Sequence, residues 1–192
     1  MPADEVVDTS MKKLGIVVSS TRPARIGPKV AAWVESVVPA GEWEVELLDL
    51  SQIALPFLDE VDMPANGNYA LPHTKAWAEQ VSGLGALVVV TPQYNKSFPA
   101  SIKNAIDFLY AEWHAKPIAL VGYGWSGAAQ ATQALAEVLT HVKADVVDQI
   151  NLVFNADLTP EGELTVGEDN ADRLRLALSA MAQKQSQQQP AA

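Results

Sequence analysis

The sequence contains no cysteine, and that absence removes disulfides, thiolate metal sites, iron–sulfur clusters and a thiol nucleophile from consideration. Any redox chemistry must therefore come from a bound cofactor. Basic residues are also scarce: 13 Lys and Arg stand against 23 Asp and Glu, a formal charge of -10. The bases form no stripe, so neither nucleic acid nor an anionic membrane surface is an expected partner. Only three histidines occur, His73, His114 and His141, and they lack metal-ligand spacing. No apolar run approaches the length that spans a bilayer, and Met1 to Ser10 carries acids where an export signal carries bases. A soluble cytoplasmic protein is the expectation.

What the chain does have is an alternation of two patterns. Its 192 residues are enough for one α/β domain with a full core and too few for two. Short runs rich in branched apolar residues predict strands at 13–19, 43–50, 84–90, 118–123 and 150–154. Helical patterns fall at 28–38, 74–82, 100–113, 127–142 and 169–183. Five strands alternating with five helices indicate a doubly wound parallel sheet with helices on both faces. Right-handed crossovers leave flavodoxin-like and Rossmann-like strand orders, and the count of five favours the flavodoxin-like order 2-1-3-4-5. The expected domain spans 12–183, between a flexible acidic tail at 1–11 and a disordered Gln-rich tail at 184–192. Segment 55–72 reads as a long irregular loop whose acids, Asp59, Glu60 and Asp62, are solvated. Ile102, Ala105, Ile106, Leu109, Tyr110 and Trp113 form an apolar stripe that packs on the sheet, with any surplus left for a partner subunit.

In open α/β sheets ligands sit beyond the carboxyl ends of the strands, and three such segments stand out. After the third strand, Thr91 to Asp107 offers an aromatic ring, two amides, stiffening prolines and no obligatory charge, which suits a flat heteroaromatic ligand better than an ion. After the first strand, Ser19 to Gly27 combines hydroxyls, free amides at a helix N-terminus and two arginines. This is a cradle for a phosphate, with Arg22 its leading side chain; an ordinary turn with solvated arginines is the alternative. After the fourth strand, Gly122, Gly124 and Gly127 match a dinucleotide fingerprint, with Asp145 about twenty residues on, but that fingerprint belongs in the first turn of a Rossmann unit. Ser126 is no hydrolase nucleophile either: Ala128 replaces the second glycine of the elbow, and His141 precedes Asp145, Asp148 and Asp157. These glycines instead let backbone approach a flat ligand at a helix N-terminus, or they form a turn that holds nothing.

Three motifs, in order, carry a resemblance to a known family: S-S-T-R-P-x-R-x-G, T-P-x-Y-N-x-S-x-P-x-x-x-K-N-A-I-D and G-Y-G-x-S-G. The chain resembles the NAD(P)H-dependent FMN reductases, a family that includes quinone, azo-dye and chromate reductases. The resemblance implies that Ser20 and Arg22 hold the FMN phosphate while Thr21, Arg25, Ile26 and Gly27 shape that loop. It implies that Pro92, Gln93, Tyr94 and Asn95 line the isoalloxazine, and that Gly124, Trp125, Ser126 and Gly127 cover its pyrimidine end. The implied reaction passes hydride from NADPH or NADH to flavin N5 and electrons onward to a small-molecule acceptor, with no side-chain acid, base or nucleophile. The implied assembly is a homodimer, or a tetramer made from two dimers, with the flavin near the subunit boundary. Three positions depart from the pattern: Gln93 stands where the family usually has Glu, Lys96 where His or Gly is frequent, and Ala128 where Gly is common. A flavodoxin-type electron carrier and a non-catalytic flavin-binding protein are the rival readings.

Overall fold

Continuously buried short apolar runs, whose successive side chains face opposite sides of one sheet, explain the centre of the fold. The computed structural model describes residues 11–188, so the acidic segment 1–10 and the last residues, 189–192, lie outside the described residues. Strand β1 is Lys12–Val18, and Ile16 and Val18 face one side of the sheet while Val17 faces the other. In β3 (Ala86–Pro92), Val88 and Val90 join the first side and Leu87 and Val89 the second. Strands β3 and β4 (Pro117–Gly124) are buried at every position, as expected of parallel strands covered on both faces. The outer strands are β2 (Trp43–Asp49) and β5 (Asp145–Val153), both partly exposed. The sheet is wholly parallel with order β2-β1-β3-β4-β5, the flavodoxin-like order expected from sequence.

Helices α1 (Gly27–Val37) and α6 (Glu168–Gln188) cover one face. The other carries α3 (Pro72–Gly83), α4 (Ala100–Asp107) and α5 (Ala129–His141). A short helix, α2 (Leu50–Ile53), follows β2 directly, with the Asp49 carboxylate accepting from Ser51 N at 3.0 Å as its cap. Among the described residues no helix is long and apolar enough to cross a membrane.

Several boundaries differ from expectation, each for a local reason. Helix α4 stops at Asp107 instead of running to Trp113, and 111–113 form a separate 3₁₀ turn. The indoles of Trp77 and Trp113 donate to Ala105 O (2.8 Å) and Ile106 O (3.0 Å), so side chains replace the backbone donors that continuing the helix would have supplied. The stripe Ile102, Ala105, Ile106, Leu109 and Trp113 is buried within the chain, which leaves little surplus for a partner. Strand β5 starts at Asp145, ahead of the expected Ile150, with a register shift against Ile118 and Ala119. Its early residues look polar because they sit at a sheet edge. Helix α6 continues to Gln188, so residues 184–188 of the tail expected to be disordered are helical. Lys12 donates to Ala182 O and Ser186 Oγ, and Lys184 pairs with Asp145 at 2.6 Å, giving those last turns partners.

The acids of the long loop face solvent as expected, and they also tie the loop together. Asp62 accepts from Met63 N, Asn66 and Asn68; Glu60 accepts from Ala70 N and Leu71 N; Asp59 pairs with His73 at 2.9 Å. Asn104 of α4 fastens the loop on both sides, donating to Pro56 O at 2.6 Å and accepting from Leu58 N at 3.0 Å.

Candidate active site

Neighbouring parallel strands bring the three predicted loops together. Val18 pairs with Val90, Thr91 with Gly122, and Pro92 with Tyr123, so the ends of β1, β3 and β4 open onto one edge. In the first turn the two arginines differ. Arg25 makes a fork to Asp49, Nη1 and Nη2 each 2.5 Å from a carboxylate oxygen, and Nη1 also donates to Ser20 O at 2.8 Å. The two side chains are only 16 % and 7 % exposed. Those hydrogen bonds hold the Asp49 carboxyl below its ordinary range despite its burial, and they raise the guanidinium correspondingly. Arg25 thus ties the first turn to the end of β2. Arg22 is exposed and has neither an ion pair nor a hydrogen-bonded side chain among the described residues.

Next to Arg22 the turn holds unused polar groups. The Ser19 and Ser20 hydroxyls are buried without hydrogen-bond partners, while the Ser19 carbonyl accepts from Ser101 Oγ of α4. Helix α1 begins at Gly27 with Ile26 as its N-cap residue, no side-chain cap and no acid in its first turn. In a chain of charge -10, this leaves the positive end of the helix dipole unopposed. A Cβ on Gly27 would collide with Ser20 Oγ, so only glycine leaves that hydroxyl its place.

The other two loops line a slot. Gln93 carries a buried amide oxygen with no partner. Tyr94 and Ser97 exchange backbone hydrogen bonds of 2.7 and 2.9 Å across Asn95 (φ 49°) and Lys96 (φ 68°), a tight turn with two left-handed residues. Asn tolerates that conformation; at Lys96 a glycine would adopt it with less strain. Across the slot, a Cβ on Gly122 would lie 2.6 Å from Gly127 O, so the loop closes only over a bare backbone. Gly127 and Ala128 both take left-handed φ, and α5 then starts with no side-chain cap or first-turn acid. Asn151 of β5 secures the loop, donating to Gly127 O at 2.7 Å. Trp125 is 71 % exposed and meets Phe154 edge to face, centroids 5.3 Å apart.

Together these segments enclose a cavity of about 320 Å³. Of the predicted residues, Arg22, Arg25, Ile26, Pro92, Gln93, Tyr94, Gly124, Trp125 and Ser126 line it. Ser20 and Gly27 lie buried behind the first turn, and Gly127 beneath the fourth-strand loop. Thr21 instead faces a neighbouring cleft of about 520 Å³ with Leu50, Phe57 and Ser101, and Asn95 sits at the turn tip. Sequence reasoning missed Tyr123, Phe154 and Pro160 in the wall, as well as Asp49 and Asn151. Asp49 alone had a local signal, an acid at a strand end two residues before a serine.

The sequence model described as "NADPH-dependent FMN reductase" matches residues 11–159. The chain belongs to the NADPH-dependent FMN reductase family. It is 37 % identical over 174 residues to an NAD(P)H-dependent FMN reductase of Saccharomyces cerevisiae, covering 84 % of this chain and 88 % of that protein. A second such reductase, of Schizosaccharomyces pombe, is 37 % identical over 137 residues, with 70 % and 68 % covered. Among solved structures, the flavoenzyme NAD(P)H:(acceptor) oxidoreductase of Paracoccus denitrificans superposes with a TM-score of 0.69 at 25 % identity, covering 92 % of this chain and 98 % of that one. For an NADPH-dependent FMN reductase the residues present are apt. Orphaned buried hydroxyls and an uncapped helix N-terminus suit a phosphate, and the slot between Pro92–Tyr94 and Gly124–Ser126 suits a planar ring.

Proposed function

We propose that this FMN reductase uses NADPH or NADH to reduce a quinone, azo compound, metal oxyanion or free flavin. The observation that carries the reading is the convergence of three loops on one cavity, with Arg22 in its wall, the unpartnered Ser19 and Ser20 hydroxyls buried in the turn behind it, and a slot between the other two loops. FMN, when bound, would supply the redox chemistry between NAD(P)H and the acceptor. Arg22, Ser20 and the N-terminus of α1 hold the phosphate. Arg25 keeps the loop in shape through Asp49, with Thr21, Ile26 and Gly27 completing it. Pro92, Gln93, Tyr94 and Asn95 line one side of the ring. Gly124, Trp125, Ser126 and Gly127 cover the other, where backbone donors and the uncapped start of α5 favour negative charge. The Trp125–Phe154 pair screens that edge from water.

The assembly we propose is a homodimer. Phe57 and Val61 are 85 % and 100 % exposed, with Leu58 and Met63 beside them, on a loop that Asp62, Glu60 and Asn104 hold stiff. A preformed apolar projection of this kind suits a second copy of the chain.

The test is spectroscopic. Purified protein mixed with FMN should show a perturbed flavin spectrum, and NADPH or NADH added without oxygen should bleach it within seconds. Flavin bound but not bleached would favour a flavodoxin-type carrier, and absence of flavin binding would refute the reading.

A further inference from the structure

Tyr123 is a residue that the family motifs leave without a role. It is the next-to-last residue of a fully buried strand, is only 4 % exposed, and forms part of the cavity wall. Its hydroxyl reaches the first turn: a Cβ on Gly27 would lie 3.1 Å from the Tyr123 oxygen and would collide with Ser20 Oγ. Two hydroxyls from distant parts of the chain therefore converge on the first residue of helix α1. Ser20 Oγ has no partner of hydrogen-bonding geometry, although the two groups are close enough for Ser20 to ease ionisation of the phenol slightly. Arg25 cannot serve an anion with the same freedom, because both its terminal nitrogens are committed to Asp49 and one also to Ser20 O.

Resting on the FMN reading above, we propose that the Tyr123 hydroxyl donates a hydrogen bond to the cofactor's phosphate, sharing that group with Ser20, Arg22 and the N-terminus of α1. The position on Gly27, at the anion end of the cavity, selects the phosphate over the ring. Burial pushes the phenol up to about 12, so it keeps its proton, and its capacity to donate, across the physiological range. Arg22, Arg25 and Tyr94 are the charged or titratable groups that act on it. A donor fixed on a buried interior strand needs no ordering when ligand arrives, whereas Arg22 on its exposed turn does.

The experiment compares FMN with riboflavin, which lacks the phosphate, on wild-type protein and Tyr123→Phe, by fluorescence quenching. Thermal unfolding without ligand monitors the fold. The expected result is a roughly tenfold or greater loss of FMN affinity in Tyr123→Phe, unchanged riboflavin affinity and an unchanged unfolding temperature. Equal losses for both ligands would move the contact off the phosphate and overturn the proposal. So would FMN affinity equal to wild type. If Tyr123→Phe lowers the unfolding temperature, Ser20→Ala in the same comparison decides: a loss confined to FMN in both variants upholds the shared phosphate contact, and a loss in neither overturns it. Wild-type protein that binds no FMN would refute the functional reading as well, an outcome separate from all of these.

Discussion

Arg22 and Arg25 sit in one turn, but among the described residues only Arg25 makes an ion pair, and the difference sets what each substitution should do. Arg22→Ala removes an exposed cation that makes no ion pair or side-chain hydrogen bond among the described residues, so FMN affinity should fall by about 1.5–3 kcal/mol, the worth of a hydrogen bond to a charged group. Stability without ligand should not change. Calorimetric titration and thermal unfolding test both halves. Asp49→Asn should instead lower stability by about 2 kcal/mol, between the values for exposed and fully buried pairs. Because the folded Asp49 carboxyl lies below its unfolded value of about 3.9, its contribution is fully present above that pH and disappears as pH falls through the folded value. Denaturant curves should therefore show wild type and Asp49→Asn converging in acid; a gap that persists there would refute the ion-pair account. Gln93→Glu places a carboxylate where a neutral, unpartnered amide oxygen now lies beside the slot. It should make the flavin potential more negative, by about 30 mV for each 1.4 kcal/mol of added repulsion. A redox titration against a reference dye measures it.

At the scale of elements, the segment between β2 and α3 is the most instructive. Its composition reads as a solvated loop, and its solvent-facing acids also accept hydrogen bonds from neighbouring amides, while Asn104 pins it to α4. Asn104→Ala should release residues 56–58, cost about 1 kcal/mol for the lost hydrogen bonds, and speed hydrogen exchange at the Leu58 amide. Unchanged exchange would show that the loop is held by other contacts. The motif containing Asn104 is readable in the sequence, but its reach to Pro56 is not, because a helix pattern says which face is apolar and nothing about which loop crosses the other face. The early stop of α4 has the same origin: two indoles, one from another helix, take over its last carbonyls.

For the whole molecule, the order β2-β1-β3-β4-β5 is what makes a single site from distant segments. It sets β1 beside β3 at the point where the winding reverses, and the crevice opens there. The 57–63 loop carries the exposed apolar side chains Phe57, Leu58, Val61 and Met63, and under the proposed dimer a second copy should dock there. Val61→Glu changes a fully exposed side chain and should leave monomer stability intact while shifting a dimer toward monomer in sedimentation velocity. A variant that sediments like wild type would place the interface elsewhere.

The strand runs, the crossover pattern and the three loops at carboxyl ends were already determined by the sequence, since each depends on neighbours within a few residues or on the handedness of one crossover. The family followed from motifs of the same short range. Tertiary structure alone decided that Arg25 belongs to Asp49, that Phe154 backs Trp125, and that the Tyr123 hydroxyl meets Ser20 beside Gly27. These are contacts between strand ends that parallel pairing brings into one edge, and no local pattern records a neighbour that arrives from another strand.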